Sequence, residues 1–283
     1  MALVISWGPR TLIFSALPLG VASRGMSASP SKKARLADDD KFQVAVVDFR
    51  AEGAARKFTD SLKNTGFAVL TDHPVSNDLI QGVYGEWRDF MVRLHEDAKS
   101  ATLPPADTQA AATSDNLASK YYHTQGVQDG YFPMAISETA KGAKVKDVKH
   151  YYQCYFPHGK YPQDDVSAGA QQLWAELLAL GKTLVQWIDD HMPAEIKATI
   201  QQKIGEGRTL SECVSSERTM LRVLHYPGYA PGEEEPGAVR AAAHEDINLI
   251  TVRPTRSLCD CVCDGASGCF RWLLIARGIS LCQ

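Results

Sequence analysis

The chain has 283 residues, 45% of them hydrophobic and 22% charged, with a formal net charge of −3 at pH 7. Such a composition belongs to an ordinary globular chain, long enough for one large domain or two small ones, and its slightly acidic balance predicts no nucleic-acid partner. No apolar run reaches the roughly 18 residues of a membrane-spanning helix, so no transmembrane segment is expected.

The first 37 residues contain no Asp or Glu, whereas Arg10, Arg24, Lys32, Lys33 and Arg35 are all positive. Residues 1–40 therefore read as a targeting leader and linker outside the fold. An organellar address, mitochondrion or plastid, competes with a secretory signal built on the apolar run from Leu12 to Ala22. Initiation at Met26 would leave a cytoplasmic form.

Phe42 to Val47 is apolar and β-branched, which predicts a buried strand. From Glu52 to Leu62, apolar Ala54, Ala55, Phe58 and Leu62 recur at helical spacing, ended by Asn64 and Gly66; a second strand follows at Phe67 to Leu70. The opening is thus β-α-β. Asn77 to Lys99 carries Leu79, Ile80, Val83, Tyr84, Trp87, Phe90, Met91 and Leu94 along one stripe, the pattern of a core-packing helix. His95 falls one residue beyond that stripe and reads as a surface or satisfied histidine. Pro, Ala, Thr, Ser and Asp dominate Ala101 to Gly130, which predicts loop. Two readings are open for the aromatics in Tyr121-Tyr122-His123 and Gly130-Tyr131-Phe132-Pro133: a loop against a substrate mouth, or anchors fastening a long loop to the core.

Helices are expected over about Ser167 to Asp190 and Ala194 to Ile204, as scaffold. Leu221 to Tyr226 alternates as a strand, with Leu221, Val223 and His225 on one face and Arg222, Leu224 and Tyr226 on the other. Pro231 to Gly237 is an acidic turn expected to return the chain antiparallel toward Arg240.

Arg240 to Thr251 contains His244-Glu245-Asp246. In a strand, side chains two apart share a face, so His244 and Asp246 would present one imidazole and one carboxylate to a single ion. That is two-thirds of the 2-His-1-carboxylate triad of non-haem Fe(II) oxygenases. Alone the motif is weak, and a buried histidine bonded to a nearby carboxylate is the competing reading. A hydrolytic zinc site is disfavoured, because His244-Glu245-Asp246-Ile247-Asn248 lacks the second histidine of His-Glu-x-x-His.

Taken together, several ordered motifs resemble the isopenicillin N synthase-like family of Fe(II)/2-oxoglutarate-dependent dioxygenases. They are Val44 to Asp48, Thr65 to Pro74, Gly130 to Pro133 with Glu138, Ala140-Lys141-Gly142 and Asp147-Val148-Lys149, Leu221 to Pro227, and Arg240 to Thr251. The resemblance implies an α+β fold: a double-stranded β-helix (jelly roll) core, here incomplete, buttressed by long helices. It implies Fe(II) held by His244, Asp246 and a later histidine, 2-oxoglutarate as cosubstrate, Tyr226 near the metal pocket, and oxidation of a small-molecule substrate. The implied organisation is 41–160 as the N-terminal region, 161–252 as helical buttress and first part of the core, and 253–283 as a divergent tail.

The family's later histidine and its Arg-x-Ser are not found among the 37 residues that follow Asp246, so an incomplete site and impaired activity are expected. Five of the seven cysteines, Cys259, Cys261, Cys263, Cys269 and Cys282, fall in this stretch. A reading frame departing from the family's sequence and a thiolate metal or redox appendage are both open, although Cys-x-Cys-x-Cys does not match the paired Cys-x-x-Cys of structural zinc sites. The tail is expected to leave sheet edges unpaired and the chain unstable. A non-catalytic form acting through a partner is the remaining alternative.

Overall fold

The computed structural model describes residues 2–7, 43–104, 115–123, 126–137, 147–228, 248–255 and 269–276. Strands β1 (Ala2–Trp7), β2 (Val46–Asp48), β3 (Phe67–Thr71), β4 (Gly130–Phe132), β5 (His150–Tyr155), β6 (Thr219–Tyr226), β7 (Ile250–Thr255) and β8 (Cys269–Ala276) form one sheet in the order β2-β3-β1-β7-β8-β6-β5-β4. Every pairing is antiparallel except β2 with β3. The helices are α1 (Ala54–Thr65), α2 (Asn77–Ser100), α3 (Leu117–Lys120), α4 (Gly169–His191) and α5 (Ala194–Ile204).

The expected β-α-β opening is present as β2-α1-β3. Helix α1 stops at Gly66, whose φ of 77° is readily reached only without a Cβ and whose N–H donates to the Leu62 carbonyl. Helix α2 starts at Ser76, whose side chain accepts the Leu79 N–H. Its apolar stripe is the core stripe: Ile80, Val83, Trp87, Phe90, Met91 and Leu94 are at most 2% exposed. Trp87 sits edge-on to both Phe90 and Tyr152, with ring centroids 5.4 Å apart in each pair. Helix α4 lies across the core, with Leu173, Leu177 and Leu184 fully buried and the Trp174 indole donating to the Thr219 carbonyl at 3.3 Å. Alternation along the strands fixes which residues meet these helices. Val47, Leu70, Tyr152, Cys154, Leu221 and Val223 share the main core with α1, α2 and α4, whereas Phe132, Tyr151, Leu224 and Tyr226 form a second buried cluster.

Two expectations differ from what is observed, those for the first residues and for the tail. Ala2–Trp7, expected to lie outside the fold, is a strand paired with β3 on one side and β7 on the other; Ala-Leu-Val-Ile-Ser-Trp has the apolar, β-branched content of a central strand. Cys269–Ala276, in the expected divergent tail, pairs with β6 along eight positions and with β7 along three. It occupies a place in the sheet, and among the described residues the outer strands of the sheet are β2 and β4, three residues each. The strand following His-x-Asp, β7, is not the neighbour of β6, because β8 lies between them. His95 is half-buried, its ring stacked on His150. Helix α2 approaches the sheet there, so a position just off the apolar stripe still meets β5. His244, Asp246, the 231–237 turn, Glu138, Cys259, Cys261, Cys263 and Cys282 lie outside the described residues.

Candidate active-site face

Beyond the helices, the opposite face of β4, β5 and β6 is built by alternation. Phe132 pairs with Tyr151 across β4 and β5, and Tyr151 with Leu224 across β5 and β6. The side chains stack in sequence. The His123 ring lies 4.6 Å from Phe132, and Phe132 lies 4.7 Å from Tyr151, each pair inclined by 18°; the Arg222 guanidinium carbon sits 4.8 Å above the Tyr151 ring. Gly130 makes the approach of this segment feasible. Its φ is 93°, and a Cβ there would come within 2.7 Å of the Tyr121 carbonyl oxygen.

Arg222 is held from its own sheet. Gln153, 1% exposed, donates its amide nitrogen to the Gln128 carbonyl at 3.0 Å, which turns its Oε1 toward Arg222 to accept from Nη2 at 2.8 Å and from Nε at 3.3 Å. These bonds orient the guanidinium fork. Tyr226, the residue named by the family resemblance, lies two positions along β6 from Leu224 on this same face, 5% exposed. The face thus combines an oriented cation, a tyrosine and a column of flat rings, the equipment to hold an organic anion or a planar group. Of these, Arg222 and Tyr226 were legible from the alternation of β6. Gln153 and the His123-Phe132-Tyr151 column were not, because strand pairing and not chain spacing brings them together.

The helical face carries a different group. His150 and His225 are cross-strand partners, with His150 Nε2 and His225 Nδ1 2.7 Å apart, so one ring donates and the other accepts. His150 is fully buried, and among the described residues its Nδ1 has no hydrogen-bond partner. His95 of α2 stacks on it at 4.8 Å, and Tyr131 meets it edge-on at 5.6 Å. Burial, then the neighbouring His225 and His95, hold the His150 pKa well below 6.5. Burial also lowers His95, with Lys99 adding to the effect and Glu96 opposing it. Because β6 alternates, these histidines face away from Tyr226. Among the described residues no group of three or more His, Cys, Asp or Glu side chains could hold a metal ion.

No protein-family model matches the chain, and no curated protein matches it. Solved structures do. A candidate oxygenase from Shewanella oneidensis is 34% identical, with 83% of this chain and 76% of that chain covered and a TM-score of 0.55. A full-length Neurospora crassa protein solved in complex with alpha-KG is 18% identical, with 85% and 74% covered and a TM-score of 0.52, a likeness of fold. A candidate 2OG-Fe(II) oxygenase family protein from Caulobacter crescentus is 20% identical, with 82% and 73% covered and a TM-score of 0.47. On the Shewanella relationship, which extends over three quarters of that protein at a third identity, the chain belongs to the same oxygenase family as that protein.

Proposed function

We propose that the chain is built as an Fe(II)/2-oxoglutarate-dependent oxygenase of the isopenicillin N synthase-like type, acting on a small-molecule substrate. In this reading the sheet is one wall of a double-stranded β-helix, and the Tyr226 face looks into it. His244 and Asp246 contribute an imidazole and a carboxylate to the iron, which supplies the oxidising chemistry when bound with its cosubstrate and dioxygen. The observation that carries the reading is the oriented cation on the Tyr226 face. The dicarboxylate 2-oxoglutarate, or an anionic substrate, needs a positive charge held in a set direction, and Arg222, restrained by Gln153 and stacked on Tyr151, offers one. The buried aromatic cluster opposite the helices supports a wall with structure on both sides, because a solvent-facing sheet would carry polar residues there.

The incomplete ligand set remains part of this proposal. No histidine follows His244 in the sequence, and the described histidines on β5 and β6 face the helices. With His244 and Asp246 as the two ligands assigned, iron is expected to be held loosely until a third ligand completes the set. Anaerobic Fe(II) titration of the purified chain tests the assignment, with succinate release as a second readout. His244→Ala and Asp246→Ala should each abolish iron binding, since one remaining ligand does not retain the ion. Unchanged iron stoichiometry in either variant refutes the assignment. Stable, iron-free protein that captures a partner would favour the non-catalytic alternative.

A further inference from the structure

On the helical side of the molecule, away from Tyr226, the outer surface of α1 and the corner between α4 and α5 enclose a groove of about 460 Å³. Its two walls differ in chemistry. One wall is aliphatic: Ile188 near the end of α4, Met192 at the break between the helices, and Ile196 and Ile200 one turn apart on α5. Ile196 is 43% exposed, one of the few large apolar side chains among the described residues left facing solvent. The other wall is the stripe Arg56, Asp60 and Lys63 on α1, with His191 at the rim. Lys57 and Arg56 continue the basic edge into an adjoining hollow of about 530 Å³ that also includes Asp60 and His191. Three fixed positive charges therefore face one carboxylate, on a chain whose overall charge is −3. None of the three takes part in any of the salt bridges among the described residues, although acidic side chains pair elsewhere on the surface.

Unneutralised cations along one side of an elongated apolar trough select an occupant that is anionic at one end and aliphatic along its length. A polar anion such as phosphate would leave the isoleucine and methionine wall wet, and a neutral alkane would leave the cations unused. The volume lies within the roughly 300–1,000 Å³ typical of small-ligand sites, which suits a fatty carboxylate better than a folded partner. We propose that this groove binds a medium- or long-chain fatty-acid anion, its chain along Ile188, Met192, Ile196 and Ile200 and its carboxylate against Arg56 and Lys63.

The test is isothermal titration of the full chain with dodecanoate below its micelle concentration, with dodecyltrimethylammonium as the matched cation. Dodecanoate should bind saturably at one site and the cationic amphiphile should bind at least about tenfold more weakly. Arg56→Glu combined with Lys63→Glu should weaken dodecanoate about tenfold and narrow or reverse the preference over the cation. Ile196→Asp should weaken both amphiphiles. All three positions are exposed, so the fold is retained, as circular dichroism would verify. No saturable binding of dodecanoate, equal affinity for the two amphiphiles, or affinity untouched by the variants would each overturn the proposal. Because the groove contains none of the residues assigned to iron or 2-oxoglutarate, the result stands apart from the oxygenase reading.

Discussion

Acidification from pH 7.5 to 5 should destabilise the protein through His150. This ring is fully buried, has one nitrogen bonded to His225 and the other without a partner among the described residues, and is stacked on by His95. The folded state therefore binds a proton less readily than the unfolded chain, in which the ring titrates near 6.5. The sign follows directly: the stability is intact above pH 6.5 and is lost as the pH falls below it, because the unfolded state takes up the proton first. A histidine kept neutral in the fold removes about 1.4 kcal/mol per pH unit in the limit, hence up to about 2 kcal/mol by pH 5. That is a substantial part of an ordinary domain's stability of about 5–15 kcal/mol. Urea unfolding followed by tryptophan fluorescence at half-unit intervals would measure it, with buried Trp87 and Trp174 as reporters. Most carboxylates remain ionised across this range, so the slope isolates the histidines. In His150→Leu the slope between pH 6.5 and 5 should fall by about one proton, leaving the contribution of His95 and any other histidine. A wild-type stability equal at pH 7.5 and 5, or a variant that keeps the full slope, would refute the reasoning.

Three other perturbations have defined outcomes. Gly130→Ala should cost about 1–3 kcal/mol, because a Cβ meets the Tyr121 carbonyl and φ is positive, and should disturb the His123-Phe132 stack; near-ultraviolet circular dichroism and thermal melting would read both. Asp189→Ala should destabilise by about 1–3 kcal/mol, since this 4% exposed carboxylate accepts the Leu210 and Ser211 N–H groups at 2.9 Å each; a change below about 0.5 kcal/mol would show that water replaces it. A chain begun at Met26 lacks β1, which leaves β3 and β7 without the strand between them. At about 0.5–1.5 kcal/mol net per lost interstrand bond, it should be less stable by several kcal/mol, and an unchanged urea midpoint would show that β1 contributes nothing to the fold.

Local periodicity determined much of this protein in advance. The stripe of α2, the extents of α4 and α5 and the β-α-β opening were legible because helix and strand periods are properties of neighbouring residues. The two faces of β6 were legible for the same reason, and they already separated Arg222 and Tyr226 from His225. Membership of the oxygenase family was legible too, since several motifs in a fixed order constrain more than any one of them.

What the tertiary structure decided is the set of long-range pairings that no local period encodes. Only the register of β5 on β6 sets His150 against His225, and only that of β4 on β5 sets Phe132 against Tyr151. Gln153 became a support for Arg222 by the same register. The groove between α1 and α5 exists because α1 packs on α4, bringing a charged stripe and an aliphatic one together from segments more than a hundred residues apart. Composition argued that Ala2–Trp7 belonged to a leader and Cys269–Ala276 to a divergent tail, yet both are strands within the sheet. A strand's backbone can be satisfied by any neighbour of suitable register, so membership in a sheet depends on which edges the rest of the chain leaves unpaired, and that is known only once the chain has folded.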